Sequence, residues 1–97
     1  MRKCDSEKLV ERKLVEMCKE NGAMCIKLLT YQLTGLPDRM CLFPNGIVVF
    51  VELKTTGEKP RKIQESIHKK LRSLGFRVEV IDSITGVEQL IYELTCE

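Results

Sequence analysis

Tryptophan is absent and aromatic residues make up only 5% of the 97 residues, so aliphatic side chains and cysteines must fill whatever core this chain builds. Long hydrophobic runs are missing too. The longest, GIVVFV (46–51), falls far short of the roughly 20 residues that a membrane span needs. The opening MRKCDSEKLVERK lacks the apolar centre of a signal peptide, and the expectation is a cytoplasmic protein with no membrane partner. No Pro-, Gly- or Ser-rich tract, repeat or low-complexity segment interrupts the chain, so a single globular domain over 1–97 is expected.

Charge of one sign is also scarce: 16 Lys and Arg stand against 14 Asp and Glu. Such a balance does not by itself demand a nucleic-acid partner. Gathering three acids around a metal ion would nevertheless leave the rest of the surface three charges more positive, a usable field for phosphate. The five cysteines (Cys4, Cys18, Cys25, Cys41, Cys96) are odd in number and show no C-x-x-C spacing. They are expected as reduced, core-filling thiols rather than a disulfide framework or a zinc site.

What is present reads as a clear succession of elements. DSEKLVERKLVEMCKENG has Asp5 or Ser6 as N-cap, Val10, Leu14, Val15, Met17 and Cys18 as apolar positions and Asn21-Gly22 as a stop, which predicts a helix. AMCIKLL (23–29) predicts a short strand, and TYQLTGLP a loop. DRMCLF and IVVFVELK, joined by PNG with Gly46 at the φ > 0 position, predict an antiparallel hairpin. EKPRKIQESIHKKLRSLG predicts a second helix with Pro60 in its first turn, Ile63, Ile67, Leu71 and Leu74 as its stripe and Gly75 as its stop. FRVEVID reads as a strand and TGVEQLIYEL as a final helix capped by Thr85 with Glu88. The order is αβββαβα. The hairpin is apolar on both faces: Met40, Leu42, Val48 and Phe50 on one, and Cys41, Phe43, Ile47, Val49, Val51 and Leu53 on the other. Helices must therefore cover a mixed sheet on both sides, giving an α/β three-layer sandwich.

Three charges sit awkwardly in this apolar hairpin. With Asn45 at the centre of the turn, Phe43 faces Ile47, Met40 faces Phe50 and Asp38 faces Glu52. Two acids placed directly across a ladder repel one another, and a cation would resolve the conflict. Lys54, two residues beyond Glu52, falls on the same face. Oxygen donors of this kind suit Mg²⁺ or Mn²⁺, with a backbone carbonyl near Leu53 as a further ligand. On the first helix, Glu11 shares a face with Leu14, Val15 and Cys18 and could complete the site, with Glu7 one turn earlier as its competitor. Gln64 opens the second helix, and Lys59, Arg61 and Lys62 surround that helix's N-terminus, where phosphate is favoured. His68 is set aside as surface or core filler.

The helical Glu11, GLPDR (35–39), VELK (51–54) and the following Gln64 together resemble the VRR-Nuc family, the virus-type replication-repair nucleases of the PD-(D/E)XK superfamily. The likeness runs from the first helix through LRSLGFRVEVIDS and includes the element order. It implies a restriction-endonuclease-like core in which Asp38, Glu52 and Glu11 bind Mg²⁺ or Mn²⁺, Lys54 is the catalytic lysine and Gln64 an accessory residue. Arg39, within the GLPDR motif, joins Lys59, Arg61 and Lys62 as an expected DNA contact. The implied activity is hydrolysis of DNA phosphodiesters by a structure-selective endonuclease acting on branched or junction DNA. Members of this length resemble phage or bacterial proteins, and kinship with Holliday junction resolvases implies a homodimer in the host cytoplasm. The alternative is a DNA-binding accessory module of the same fold that cleaves little alone.

Overall fold

A computed structural model describes residues 3–31 and 33–96. Its elements are α1 (Glu7–Glu20), β1 (Met24–Lys27), β2 (Arg39–Phe43), β3 (Ile47–Leu53), α2 (Lys62–Ser73), β4 (Arg77–Ile81) and α3 (Ile84–Thr95), in the expected αβββαβα order. The sheet runs β1-β2-β3-β4, antiparallel between the first three strands and parallel between β3 and β4, with α2 as the crossover.

The hairpin register is the one the turn dictates: Phe43 opposes Ile47 and Met40 opposes Phe50. The turn itself is a single 3-10 turn at Pro44–Gly46, in which Asn45 (φ 70°) as well as Gly46 (φ 75°) takes the left-handed conformation. Asparagine tolerates that region because its short polar side chain can bond locally. The ladder ends at Arg39–Val51. Asp38 therefore lies just past it, and instead of standing squarely opposite Glu52 its Oδ2 accepts a hydrogen bond from the Leu53 N–H at 2.8 Å.

The odd-numbered residues of the hairpin face α1 and α3. Cys41, Phe43, Val49, Val51 and Leu53 pack with Val10, Leu14 and Cys18 of α1, Val87, Leu90 and Ile91 of α3, and Ile81 into one core. Val15, expected on the α1 stripe, is exposed, and Ile47 lies at the margin. α2 covers the opposite face with a different surface from the one its apolar spacing suggests. Ile63 and Leu74 are exposed, Ile67 and Leu71 are only half-buried, and the buried residues are Gln64 and His68. Phe50 on that face meets Phe76 edge-on with ring centroids 5.6 Å apart.

Two helix starts differ from expectation. α2 begins at Lys62 with Arg61 as N-cap, which leaves Pro60 outside the first turn. α3 is capped by Ser83, whose Oγ accepts from the Gly86 N–H at 2.9 Å, and not by Thr85. Ser6 caps α1 by accepting from the Leu9 N–H. Asp5 instead reaches across the chain, accepting from the Ile84 N–H through Oδ2 at 2.9 Å.

Candidate active site

Glu52 is the penultimate residue of β3 and points toward α2, where it is 1% exposed. A carboxylate so placed needs compensation. Its Oε2 accepts from Gln64 Nε2 at 2.9 Å and lies 3.5 Å from Lys54 Nζ. Its Oε1 is 3.7 Å from His68 Nε2, beyond hydrogen-bond length, and neither of those two buried atoms has a partner. Burial, reinforced by the Asp38 charge and only partly offset by Lys54, pushes the Glu52 carboxyl up to about 7. Burial also pushes the His68 imidazole down, aided by Arg72 and Lys54.

Gln64 owes its orientation to the local helix start. Its Oε1 accepts from the Arg61 N–H at 2.8 Å, one of the orphan donors of the first turn. With the oxygen engaged there, the NH₂ group is left to face Glu52. A glutamate at 64 could cap the helix equally well but would set two carboxylates against each other.

The GLPD loop is pinned to the same helix. Gly35 has φ 94°, and a Cβ there would stand 2.7 Å from the Ile63 carbonyl oxygen and 3.0 Å from the Ile67 side chain. Only glycine allows both the dihedral and the approach. Buried Pro37 follows, and Asp38 emerges half-buried, tied to Leu53.

The two carboxylates of α1 have separate surroundings. Glu11 Oε2 pairs with the Arg39 guanidinium, 3.1 Å from both Nε and Nη2, while Arg39 Nη1 donates to the Cys25 carbonyl at 3.3 Å. Glu7 has its carboxyl pushed up by partial burial first and then by the Asp38 charge, and it is in turn felt at Glu52. Its placement comes from the segment after VELK. Thr55 Oγ1 accepts from the Glu7 N–H at 3.1 Å, Thr56 Oγ1 accepts from the Asp5 N–H at 2.9 Å, and the Thr56 N–H donates to the Asp5 carbonyl at 3.0 Å. Thr55 and Thr56 are not singled out by the sequence, where two hydroxyls directly after a strand-end charge are their only signal, and Asp5 reads there only as a possible N-cap. His68 was noticed and set aside, although its spacing of four from Gln64 puts both on one helix face.

The arrangement thus gathers Asp38, Glu52, Lys54 and Gln64, adds His68, and brings the charge of Glu7 to bear on both acids. Lys59, Arg61 and Lys62 are exposed around the start of α2, whereas Arg39 is turned inward to Glu11 and Cys25. Two carboxylates with an unpartnered buried oxygen between neutral and cationic groups form a donor set that fits a hard divalent cation.

Comparison with known proteins bears on the family and the fold. No protein-family model matches the chain. A solved structure described as "VRR_NUC domain" superposes with a TM-score of 0.82 and 29% identity, covering 90% of this chain and 96% of the other. "Putative nuclease p44" of Acyrthosiphon pisum secondary endosymbiont phage 1 is 39% identical over 77 residues, 79% of this chain and 83% of that protein. The chain belongs to the VRR-Nuc nuclease family. No helix among the described residues is long and apolar enough to cross a membrane.

Proposed function

We propose that this protein is a divalent-metal-dependent DNA endonuclease of PD-(D/E)XK type, selective for branched or junction DNA and active as a homodimer. The observation that carries the reading is Glu52: a carboxyl 1% exposed, with one oxygen lacking any partner, beside Asp38 and Lys54. A fold gains no stability from such a group, and a bound cation would supply its missing partner. Asp38, Glu52 and the Leu53 carbonyl would hold Mg²⁺ or Mn²⁺, joined by an α1 carboxylate. The charge of Glu7 felt at Glu52 supports Glu7 for that role, while Glu11, the other candidate, is paired with Arg39. When bound, the ion supplies Lewis-acid polarisation of a phosphate and a more acidic water.

The remaining roles belong to the chain's own residues. Lys54 orients the attacking water and stabilises charge developing on the phosphate. Gln64 donates to Glu52 Oε2 and so fixes the orientation of the carboxylate that would hold the cation. His68 closes the buried side of Glu52. Lys59, Arg61 and Lys62, at a helix N-terminus, engage backbone phosphates. A two-fold pair would present two such sites to the two strands of a junction.

The test is a panel of four-way junction, flap, nicked, linear and single-stranded DNA incubated with the purified protein and Mg²⁺ or Mn²⁺. Cleavage of the branched members, abolished by chelation, is the expected result. Binding without cleavage under every metal condition would favour the accessory-module reading. Sedimentation is expected to give a dimer, and a fully active monomer would remove the two-site part of the proposal.

A further inference from the structure

The other face of the sheet carries a second cluster that the nuclease reading does not use. Cys18 in the last turns of α1, Cys25 on β1 and Cys41 on β2 place their Sγ atoms within 4.8 Å of one another. Cys25 and Cys41 are direct partners across the β1–β2 ladder, with their sulfurs 3.8 Å apart. Cys18 and Cys41 are fully buried and Cys25 is half-buried. These three are the only group of potential metal-ligating His, Cys, Asp and Glu found so close together among the described residues.

Core-filling thiols need only apolar neighbours, yet these meet one another. Three thiolates each about 2.3 Å from a common ion would stand about 4 Å from one another, close to the spacing present. Thiolates select soft cations, of which Cu(I) is the monovalent member. Zn²⁺ in a structural site takes four ligands, and among the described residues no fourth His, Cys, Asp or Glu joins this group. The positive charge of Arg39 lies alongside, its Nη1 bonded to the Cys25 carbonyl. β1 is a four-residue edge strand, so opening it exposes the cluster.

We propose that Cys18, Cys25 and Cys41 form a three-coordinate thiolate site for one soft monovalent cation of the Cu(I) class, across the sheet from the carboxylate site. On binding, the ion accepts three thiolate sulfur ligands, and the protons that the thiols carried leave to solvent; no electron is transferred. The bound ion would tie α1 to β1 and β2 and so raise thermal stability, with a gain that grows as the logarithm of the free ion concentration once that exceeds Kd.

The experiment uses the full chain carrying Cys4→Ser and Cys96→Ser, anaerobic and reduced, titrated with Cu(I) delivered from a coloured chelator. One equivalent should be taken up, X-ray absorption should give a single shell of three sulfurs, and the melting temperature should rise. Cys25→Ser, at the half-buried position that tolerates a hydroxyl, should weaken uptake by about 100-fold or more while leaving the unliganded melting temperature close to that of the parent. In the parent, bound Cu(I) should also protect Cys25 from alkylation, a readout that needs no core variant. Failure to take up Cu(I), uptake that survives Cys25→Ser, a two-sulfur shell, or displacement of the ion by equimolar Zn²⁺ would each overturn the proposal. None of these readouts depends on DNA cleavage, so the two sites stand or fall separately.

Discussion

The two faces of β3 are built to opposite ends. Val49, Val51 and Leu53 point into an apolar core closed by α1 and α3, where each contact removes hydrocarbon from water. Phe50 and Glu52, their neighbours in the chain, point to α2, which meets them with Gln64 and His68. One face therefore stabilises the fold, while the other carries a buried charge cluster that costs part of that stability. A strand with a period of two permits this division because consecutive side chains never share a face.

The sharpest way to test the division is Lys54→Ala, which should lower cleavage by about 1,000-fold or more while leaving DNA affinity nearly unchanged, since it removes charge stabilisation at the reacting phosphate. Normal cutting by saturating Lys54→Ala protein would reduce VELK to an ordinary strand end. On the opposite face, Leu14→Ala should destabilise the fold by about 2–5 kcal/mol by leaving a cavity at a fully buried position. Ile63→Ala on exposed α2 should cost no more than about 1 kcal/mol, and denaturant titration of the two variants measures the asymmetry directly.

A pH series in chelator probes the polar face. Because the Glu52 carboxyl is raised from 4.5 to about 7 in the fold, its contribution to stability is fully present below pH 4.5 and is lost as pH rises through about 7. His68 acts oppositely: its folded value is depressed, so its contribution is lost as pH falls below 6.5. Glu52→Gln isolates the carboxyl. Relative to the parent it should gain several degrees in melting temperature between pH 5 and pH 8, and saturating Mg²⁺ should restore the parent alone. A constant gap across that range would mean that Glu52 is not strained by its surroundings.

The smallest expected effect belongs to the surface. Replacing Lys59, Arg61 and Lys62 together should weaken DNA binding in a salt-dependent way, reducing the slope of log affinity against log salt by up to about 3. Cleavage at saturating protein should persist. An unchanged salt slope would move the phosphate contacts elsewhere on the molecule.

The element order and the hairpin register were legible because they rest on local rules: period-two alternation, capping residues, and a turn whose length sets which residues oppose. That register brought Asp38 to the strand end near Glu52 and Lys54, although Asp38 lies past the ladder and bonds the Leu53 N–H instead of standing opposite Glu52. The face of α2 was not legible, because an apolar stripe at 63, 67, 71 and 74 is ordinarily the buried one, and only the presence of Glu52 beneath the helix makes Gln64 and His68 the better inward residues. The relation of Glu7 to Glu11 was equally closed to the sequence. Both lie on α1 a turn apart, and it is Arg39 and Thr55, 28 and 48 positions away, that separate their surroundings.

By itself, then, the sequence determined what repeats over short distances: strands, helices, the PNG turn, and the meeting of Asp38, Glu52 and Lys54 at one strand end. Tertiary structure alone decided what depends on segments arriving from far along the chain. It turned Gln64 and His68 toward Glu52, pinned Gly35 against Ile63, drew Arg39 to Glu11, and gathered Cys18, Cys25 and Cys41 into contact. The reason is that a buried charge selects its neighbours by desolvation and hydrogen bonding in three dimensions, and no periodicity along the chain encodes that choice.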